Sequence, residues 1–189
     1  RFAGQLPPVV REVTFAIRKK TSAVFTLDQY VEKAIMTAAQ ADALREAIRN
    51  HRNILVVGGT GTGKTTLLNA IIFEMVAQNR TERFVTIEDT AELQCSAPNK
   101  VQYYTCATPS LTDLVKGTLR MRPDRILVGE VRDGAALDLL DVWNTGHEGG
   151  VATLHANNAN AGLTRLRSLI TRNKAAPAEI EPLIGEAVH

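Results

Sequence analysis

Aromatic residues are scarce in this 189-residue chain, at 5% of the total. That argues against a base-stacking surface for single-stranded nucleic acid. Cysteine is almost absent as well. Cys95 and Cys106 form no CxxC motif and have no histidine companions at zinc spacing, which points to two free thiols in a reducing compartment rather than a disulfide or a metal. No apolar run approaches the length needed to span a bilayer, and no signal peptide is visible at the start. An excess of one charge is lacking too: a net charge of +2 says little about partners. No internal repeat or low-complexity segment appears. What is left is an ordinary globular composition, 44% hydrophobic and 22% charged, in a chain long enough for one α/β domain and a small addition. Arg1 is not a methionine, the opening residues read as mid-domain sequence, and Ala187-Val188-His189 reads as the start of an apolar strand, so both ends are expected to continue.

Against that plain background one stretch stands out. Gly58-Gly59-Thr60-Gly61-Thr62-Gly63-Lys64-Thr65, followed by Thr66, fits the phosphate-loop pattern G-x-x-x-x-G-K-[ST]. Asn53-Ile54-Leu55-Val56-Val57 before it is apolar and β-branched, of strand length; Thr66-Leu67-Leu68-Asn69-Ala70-Ile71-Ile72 after it begins a helical pattern. Glycines let backbone N–H groups converge on an anion, and a helix N-terminus adds partial positive charge. In such a loop Lys64 reaches the β- and γ-phosphates and Thr65 sets its hydroxyl on Mg²⁺, so ATP and Mg²⁺ are the expected ligands.

The remaining chain reads as alternating strands and helices. Val13, Phe15 and Ile17 alternate within a strand in residues 9–20, and residues 19–25 read as a linker. Thr26-Leu27-Asp28-Gln29 has capping-box spacing and opens a helix through Met36; Thr37-Ala38-Ala39-Gln40 opens another that carries Ala43, Leu44, Ala47 and Ile48. Strands are predicted over residues 83–87, 101–104, 125–128 and 149–154. Helices are predicted from Ser110 through Met121, from Ala135 to Trp143 and from Ala161 to Ile170. The pattern predicts an α/β fold, a mainly parallel sheet with helices on both faces and the phosphate loop at its carboxyl edge.

Three further groups sit at predicted strand ends. In Ile87-Glu88-Asp89-Thr90-Ala91-Glu92 a carboxylate either orients an attacking water, holds a Mg²⁺ water, or is a solvated turn acid. In Val128-Gly129-Glu130-Val131-Arg132-Asp133, glycine stands where many such ATPases have aspartate. Glu130 is then the carboxylate that reaches Mg²⁺ through water, unless Arg132 ties it into a structural ion pair. Gly146-His147-Glu148-Gly149-Gly150-Val151-Ala152-Thr153-Leu154-His155 delivers His155 to the same edge, either to sense a γ-phosphate or as a structural histidine; no third ligand supports zinc. Arg120, Arg122 and Arg125 form either a solvated basic face or a source of arginine for a neighbouring subunit's phosphate, and Arg18 is another candidate for closing over nucleotide.

Together these blocks resemble the secretion ATPase family of type II and type IV secretion, pilus retraction and conjugative transfer, and are close to its conjugal-transfer members of the TrbB type. Gly58 to Thr66, Ile87 to Glu92, Gly129 to Arg132 and Gly146 to His155 correspond in order to that family's Walker A, aspartate box, Walker B and histidine box. Leu119 to Ile126 supports the match, and Gly129 is usual for this family's Walker B. The resemblance implies a RecA-like P-loop core over residues 26–189, truncated at its C-terminus, after a 21–25 linker and a 1–20 remnant of an N-terminal domain. It implies a homo-hexameric ring at the cytoplasmic face of the inner membrane, working with membrane and cytoplasmic components of a secretion apparatus. Lys64, Glu88, Glu92, Glu130 and His155 would be its catalytic groups, Thr65 and Glu130 its Mg²⁺ holders, and Arg18, Arg120, Arg122 or Arg132 its trans or closing arginine. Direct nucleic-acid binding is not indicated. A nucleotide-gated scaffold and a recombinase- or helicase-like motor are the alternatives.

Overall fold

The structure is a computed structural model describing residues 2–17, 23–106 and 108–189. It opens with a hairpin, β1 (Phe2–Gln5) against β2 (Thr14–Ile17). The alternation of Val13, Phe15 and Ile17 puts them on one side, and the register adds Phe2, which stacks on Phe15 with ring centroids 5.9 Å apart. The predicted strand therefore starts at Thr14 rather than at residue 9 and has a partner that periodicity did not reveal. Arg18 and residues 19–22 of the expected linker lie outside the described residues.

The main body is a five-stranded, all-parallel sheet in the order β3-β7-β6-β4-β5. Its strands are β3 (Ile54–Gly58), β4 (Phe84–Glu88), β5 (Lys100–Tyr104), β6 (Arg125–Val128) and β7 (Val151–His155). A parallel sheet is covered on both faces, so its central strands are apolar on both sides: every residue of β4 and β6 is buried. Ile126 and Val128 of β6, with Ala152 and Leu154 of β7, meet α4 (Leu111–Thr118), α5 (Ala135–Trp143), α6 (Ala159–Ile170) and α7 (Glu181–Ala187). Leu127, Val151, Ile54 and Val56 face the other way, against α2 (Ala38–Arg49) and α3 (Lys64–Gln78). Each fully buried leucine or isoleucine of these layers contributes about 1.5–3 kcal/mol relative to exposure.

Both predicted capping boxes form. Thr26 caps α1 (Leu27–Glu32) and Thr37 caps α2, each with its glutamine reaching back to the cap N–H. Two helices end early, and each is followed by a residue with positive φ. α1 stops at Glu32 rather than Met36 because Ala34 turns left-handed at φ 54°, and the N–H groups of Ile35 and Met36 both fold back to Tyr30 O. α4 stops at Thr118 rather than Met121: Thr118 Oγ1 donates to Val115 O, and Arg122 turns at φ 50° just before the buried Pro123. The apolar end of the chain is not a strand at Ala187, which is the last residue of α7; beyond it Val188 is extended and the His189 N–H donates to Asn53 O.

At the amino edge of the sheet one buried charge pair joins four segments. Arg125, 2% exposed, donates to both carboxylate oxygens of Glu82, to Gly149 O at 3.1 Å and to Ile48 O at 3.1 Å. Arg125 is thus neither a solvated basic face nor free to reach another subunit. Replacing it with methionine takes the guanidinium from a buried carboxylate that keeps contacts with Asn79 and His51, and should lower unfolding free energy by about 3–5 kcal/mol, whereas Arg125→Met combined with Glu82→Leu should recover most of that loss. Urea unfolding of the two variants measures the difference.

Candidate functional site

The phosphate-loop segment links the end of β3 to the start of α3. Gly61 and Gly63 take φ of 76° and 89°, and a Cβ on either would meet nothing within 4 Å, so their requirement is conformational, not steric. Gly58 is different: a Cβ there would sit 2.6 Å from Thr62 Oγ1 and 3.2 Å from the Lys64 stem. Helices α1, α2, α4 and α6 have side-chain caps, whereas α3, like α5 and α7, has none. The first three residues of α3, Lys64, Thr65 and Thr66, line the cleft, and Gly63 sets no side chain over the helix N-terminus, which suits an anion.

A cleft of about 330 Å³ opens there. It is lined by Lys64, Thr65, Glu88, Glu92, Glu130, Arg132 and His155, among others, so groups from three strand ends and one helix converge. The strand order explains this. β7 lies between β3 and β6, and Gly58 pairs with His155 in register. His155 consequently stands between the loop lysine and the acid after β6. Lys64 Nζ lies 2.7 Å from Gly59 O and 3.1 Å from His155 Nδ1, and His155 Nε2 lies 3.3 Å from Glu130 Oε1. An ammonium can only donate, so Nδ1 accepts and the ring proton is assigned to Nε2, facing the carboxylate.

Glu130 also takes a hydrogen bond from Arg132 at 2.8 Å, and Arg132 donates to Asp89 at 2.6 Å. Burial pushes the Glu130 carboxyl up, but Arg132's hydrogen bond and charge, helped by His155, outweigh it and hold the group below the ordinary 4.5. The same pairing with Glu130 raises Arg132. Glu88 closes β4 and is buried; its Oε2 accepts from the N–H groups of Glu92 (3.2 Å) and Leu93 (2.8 Å), so the acidic loop wraps its carboxylate. Gly129 is tightly placed: a Cβ there would lie 3.0 Å from Glu88 Cβ, so that neighbour would have to give by a few tenths of an ångström. The tight fit against Glu88 favours glycine at the strand end, and the next residue, Glu130, carries the carboxylate.

The other candidates lie elsewhere. Arg120 and Arg122 are exposed in the loop before β6, at the opposite edge of the sheet, and neither lines the cleft. His147 lies 3.4 Å from Pro123 O, away from His155. Among the described residues no group of three His, Cys, Asp or Glu side chains could hold a metal by itself. Cys95 is buried and Cys106 exposed, and both are free. Two polar groups of the site escaped the sequence reading. Thr153 lines the cleft and donates to Gly129 O at 2.6 Å. Asn69 of α3 bonds the loop after β4; its only signal was an amide within the apolar run Leu67 to Ile72.

Two outcomes follow from this geometry. Gly129→Ala should lower stability by about 1–3 kcal/mol, because the Glu88 Cβ, 3.0 Å from the added methyl group, must move by a few tenths of an ångström. For Glu130, a lowered folded-state pKa means its stabilisation is present above 4.5 and disappears as pH falls through the folded value. The stability gap between the parent and Glu130→Gln, measured by denaturant titration, should therefore narrow on acidification from neutral pH.

The chain resembles known proteins over most of its length. The chain is 52% identical over 188 residues to the conjugal transfer protein TrbB of Rhizobium radiobacter, covering 100% of this chain and 58% of that protein. It is 35% identical over 176 residues to the type IV secretion system protein VirB11 of Bartonella quintana, 88% of this chain and 49% of the relative. The crystal structure of the VirB11 ATPase from the Brucella suis type IV secretion system, in complex with sulphate, superposes with a TM-score of 0.74 at 31% identity, over 92% of this chain and 53% of that one. The chain thus spans about half the length of the relatives it matches. The family model described as type II/IV secretion system protein matches residues 3–185, taking in the whole cleft and both layers of helices. The chain belongs to the type II/IV secretion system protein family.

Proposed function

We propose that this chain is the ATP-hydrolysing core of a ring motor in a type IV secretion or conjugative-transfer system. The observation that carries the reading is the convergence of the uncapped start of α3 with Lys64, Glu88, Glu130 and His155 in one cleft at the carboxyl edge of the sheet. A sulphate complex of the Brucella suis VirB11 ATPase lends support, since sulphate is a tetrahedral dianion like a phosphate. The loop amides hold the β- and γ-phosphates, and Lys64 exchanges its contact with Gly59 O for phosphate oxygen. Water adds to the γ-phosphorus as the bond to the ADP oxygen breaks. Glu88 orients that water and takes its proton, with Glu92 as the alternative group. His155, which already touches both Lys64 and Glu130, responds when the γ-phosphate leaves.

The residues fit Mg²⁺. Thr65 and Glu130 offer hard oxygen donors, and a site without three acidic or imidazole ligands suits an ion that keeps waters and phosphate oxygens of its own. Thr65 would hold it directly and Glu130 through water, and the ion would neutralise charge developing between the β- and γ-phosphates. In the proposed assembly residues 1–20 belong to an N-terminal domain, 21–25 are its linker and 26–189 form the RecA-like unit of a homo-hexamer. The ring works at the inner membrane's cytoplasmic face with other parts of the apparatus. Arg18, Arg120 and Arg122 are candidates to serve a neighbour's nucleotide; Arg132, bound to Glu130 and Asp89, serves its own subunit's cleft.

Phosphate release measured against protein concentration tests the reading. Specific activity should climb with concentration and vanish in Lys64→Ala. Glu88→Gln should bind ATP and lower kcat by about 100- to 10,000-fold. Undiminished turnover in Glu88→Gln would remove that residue from its role, and ATP binding without turnover at any concentration would favour a nucleotide-gated scaffold.

A further inference from the structure

A buried amide joins the loop after β4 to the phosphate-loop helix. Asn69 is 6% exposed on α3; its Nδ2 donates to Glu92 O at 3.1 Å, and its Oδ1 accepts from the Gln94 N–H at 2.8 Å. The partners dictate the amide's orientation, because a carbonyl only accepts and an N–H only donates. From the other side, Glu88 Oε2 accepts the Glu92 N–H. Glu92 is thus gripped at its N–H by a strand end and at its carbonyl by a helix, while its side chain lines the cleft. Asn69 follows Lys64 by five residues on the same rigid helix, about 7.5 Å along its axis. A helix that carries the phosphate loop at its first turn therefore carries the latch on the acidic loop at its second.

We infer that Asn69 is a positioning residue, which keeps the Glu88–Gln94 loop in register with the phosphate loop and so acts on the hydrolytic step rather than on nucleotide binding. The inference rests on the ATPase reading for its chemistry and on the two hydrogen bonds for its geometry. Asn69→Asp isolates the donor. It keeps the side chain's shape and an oxygen for the Gln94 N–H, but offers no N–H to the Glu92 carbonyl. Asn69→Ala removes both bonds without adding charge.

The experiment measures kcat, KM, ADP affinity and backbone amide exchange in the full chain, in parent, Asn69→Asp and Asn69→Ala. The expected result is a fall in kcat of about 10- to 100-fold, the penalty of a misplacement near 1 Å. ADP affinity should stay at the parent value, and exchange should speed up at Leu93 and Gln94 while α3 remains protected. A parent that hydrolyses ATP alongside variants of equal kcat overturns the inference and leaves the ATPase reading standing. Joint loss of kcat, ADP affinity and α3 protection also overturns it, since that is the signature of a merely structural residue. A parent without turnover sinks the ATPase reading, and exchange then decides on the latch: faster exchange confined to the loop supports it, unchanged exchange at Gln94 overturns it.

Discussion

A sheet whose strands all run one way has no face to spare for chemistry. Helices cover both sides, and every residue of β4 and β6 is buried, so charged groups are driven to the strand ends. Parallel direction then collects those ends along one edge. Gly58, Glu88 and His155 are each the last residue of a strand, and Glu130 comes two residues after the end of β6. The cleft is a consequence of that packing constraint as much as of any one side chain.

Within the cleft the order of strands matters more than their number. With β7 lying between the phosphate-loop strand and β6, the imidazole of His155 touches Lys64 on one side and Glu130 on the other. Arg132 extends the line from Glu130 to Asp89 at the end of β4. A movement at Lys64 therefore has a continuous path of polar contacts across the ends of three strands. The acidic loop is registered separately, from beneath, by Asn69.

Much of this was legible in the sequence because it depends on local rules. Capping boxes at Thr26 and Thr37, strands of apolar β-branched residues and a glycine-rich turn before Lys64 all formed where their patterns lie. The misreadings share a different origin. Ala34 and Arg122 end their helices in left-handed conformations that neither residue type announces, because tertiary packing sets the turn. Helix α7 begins at Glu181-Pro182, past a stretch with no periodic signal, and β1 shows no alternation of its own. Arg125 looked like one of three surface arginines, yet its partner Glu82 is 43 residues away in sequence, beyond any local pattern. The placement of acids and histidine at the sheet edge could be read from strand ends, and the Arg132 ion pair with Glu130 was one of two readings that the motif left open; the contacts of Asn69 and Thr153 required the third dimension.

The two edges of the sheet are held by charge in opposite ways. At the amino edge, Arg125 and Glu82 are 2% and 7% exposed and interact out of reach of mobile ions. At the carboxyl edge, Arg132 and Asp89 are 59% and 44% exposed, and at physiological ionic strength charges in water are screened over about 8 Å. Dissolved ions thus have purchase on the working edge and almost none on the opposite one. Ionic strength acts unevenly, weakening the exposed Arg132–Asp89 pair more than the buried Arg125–Glu82 pair.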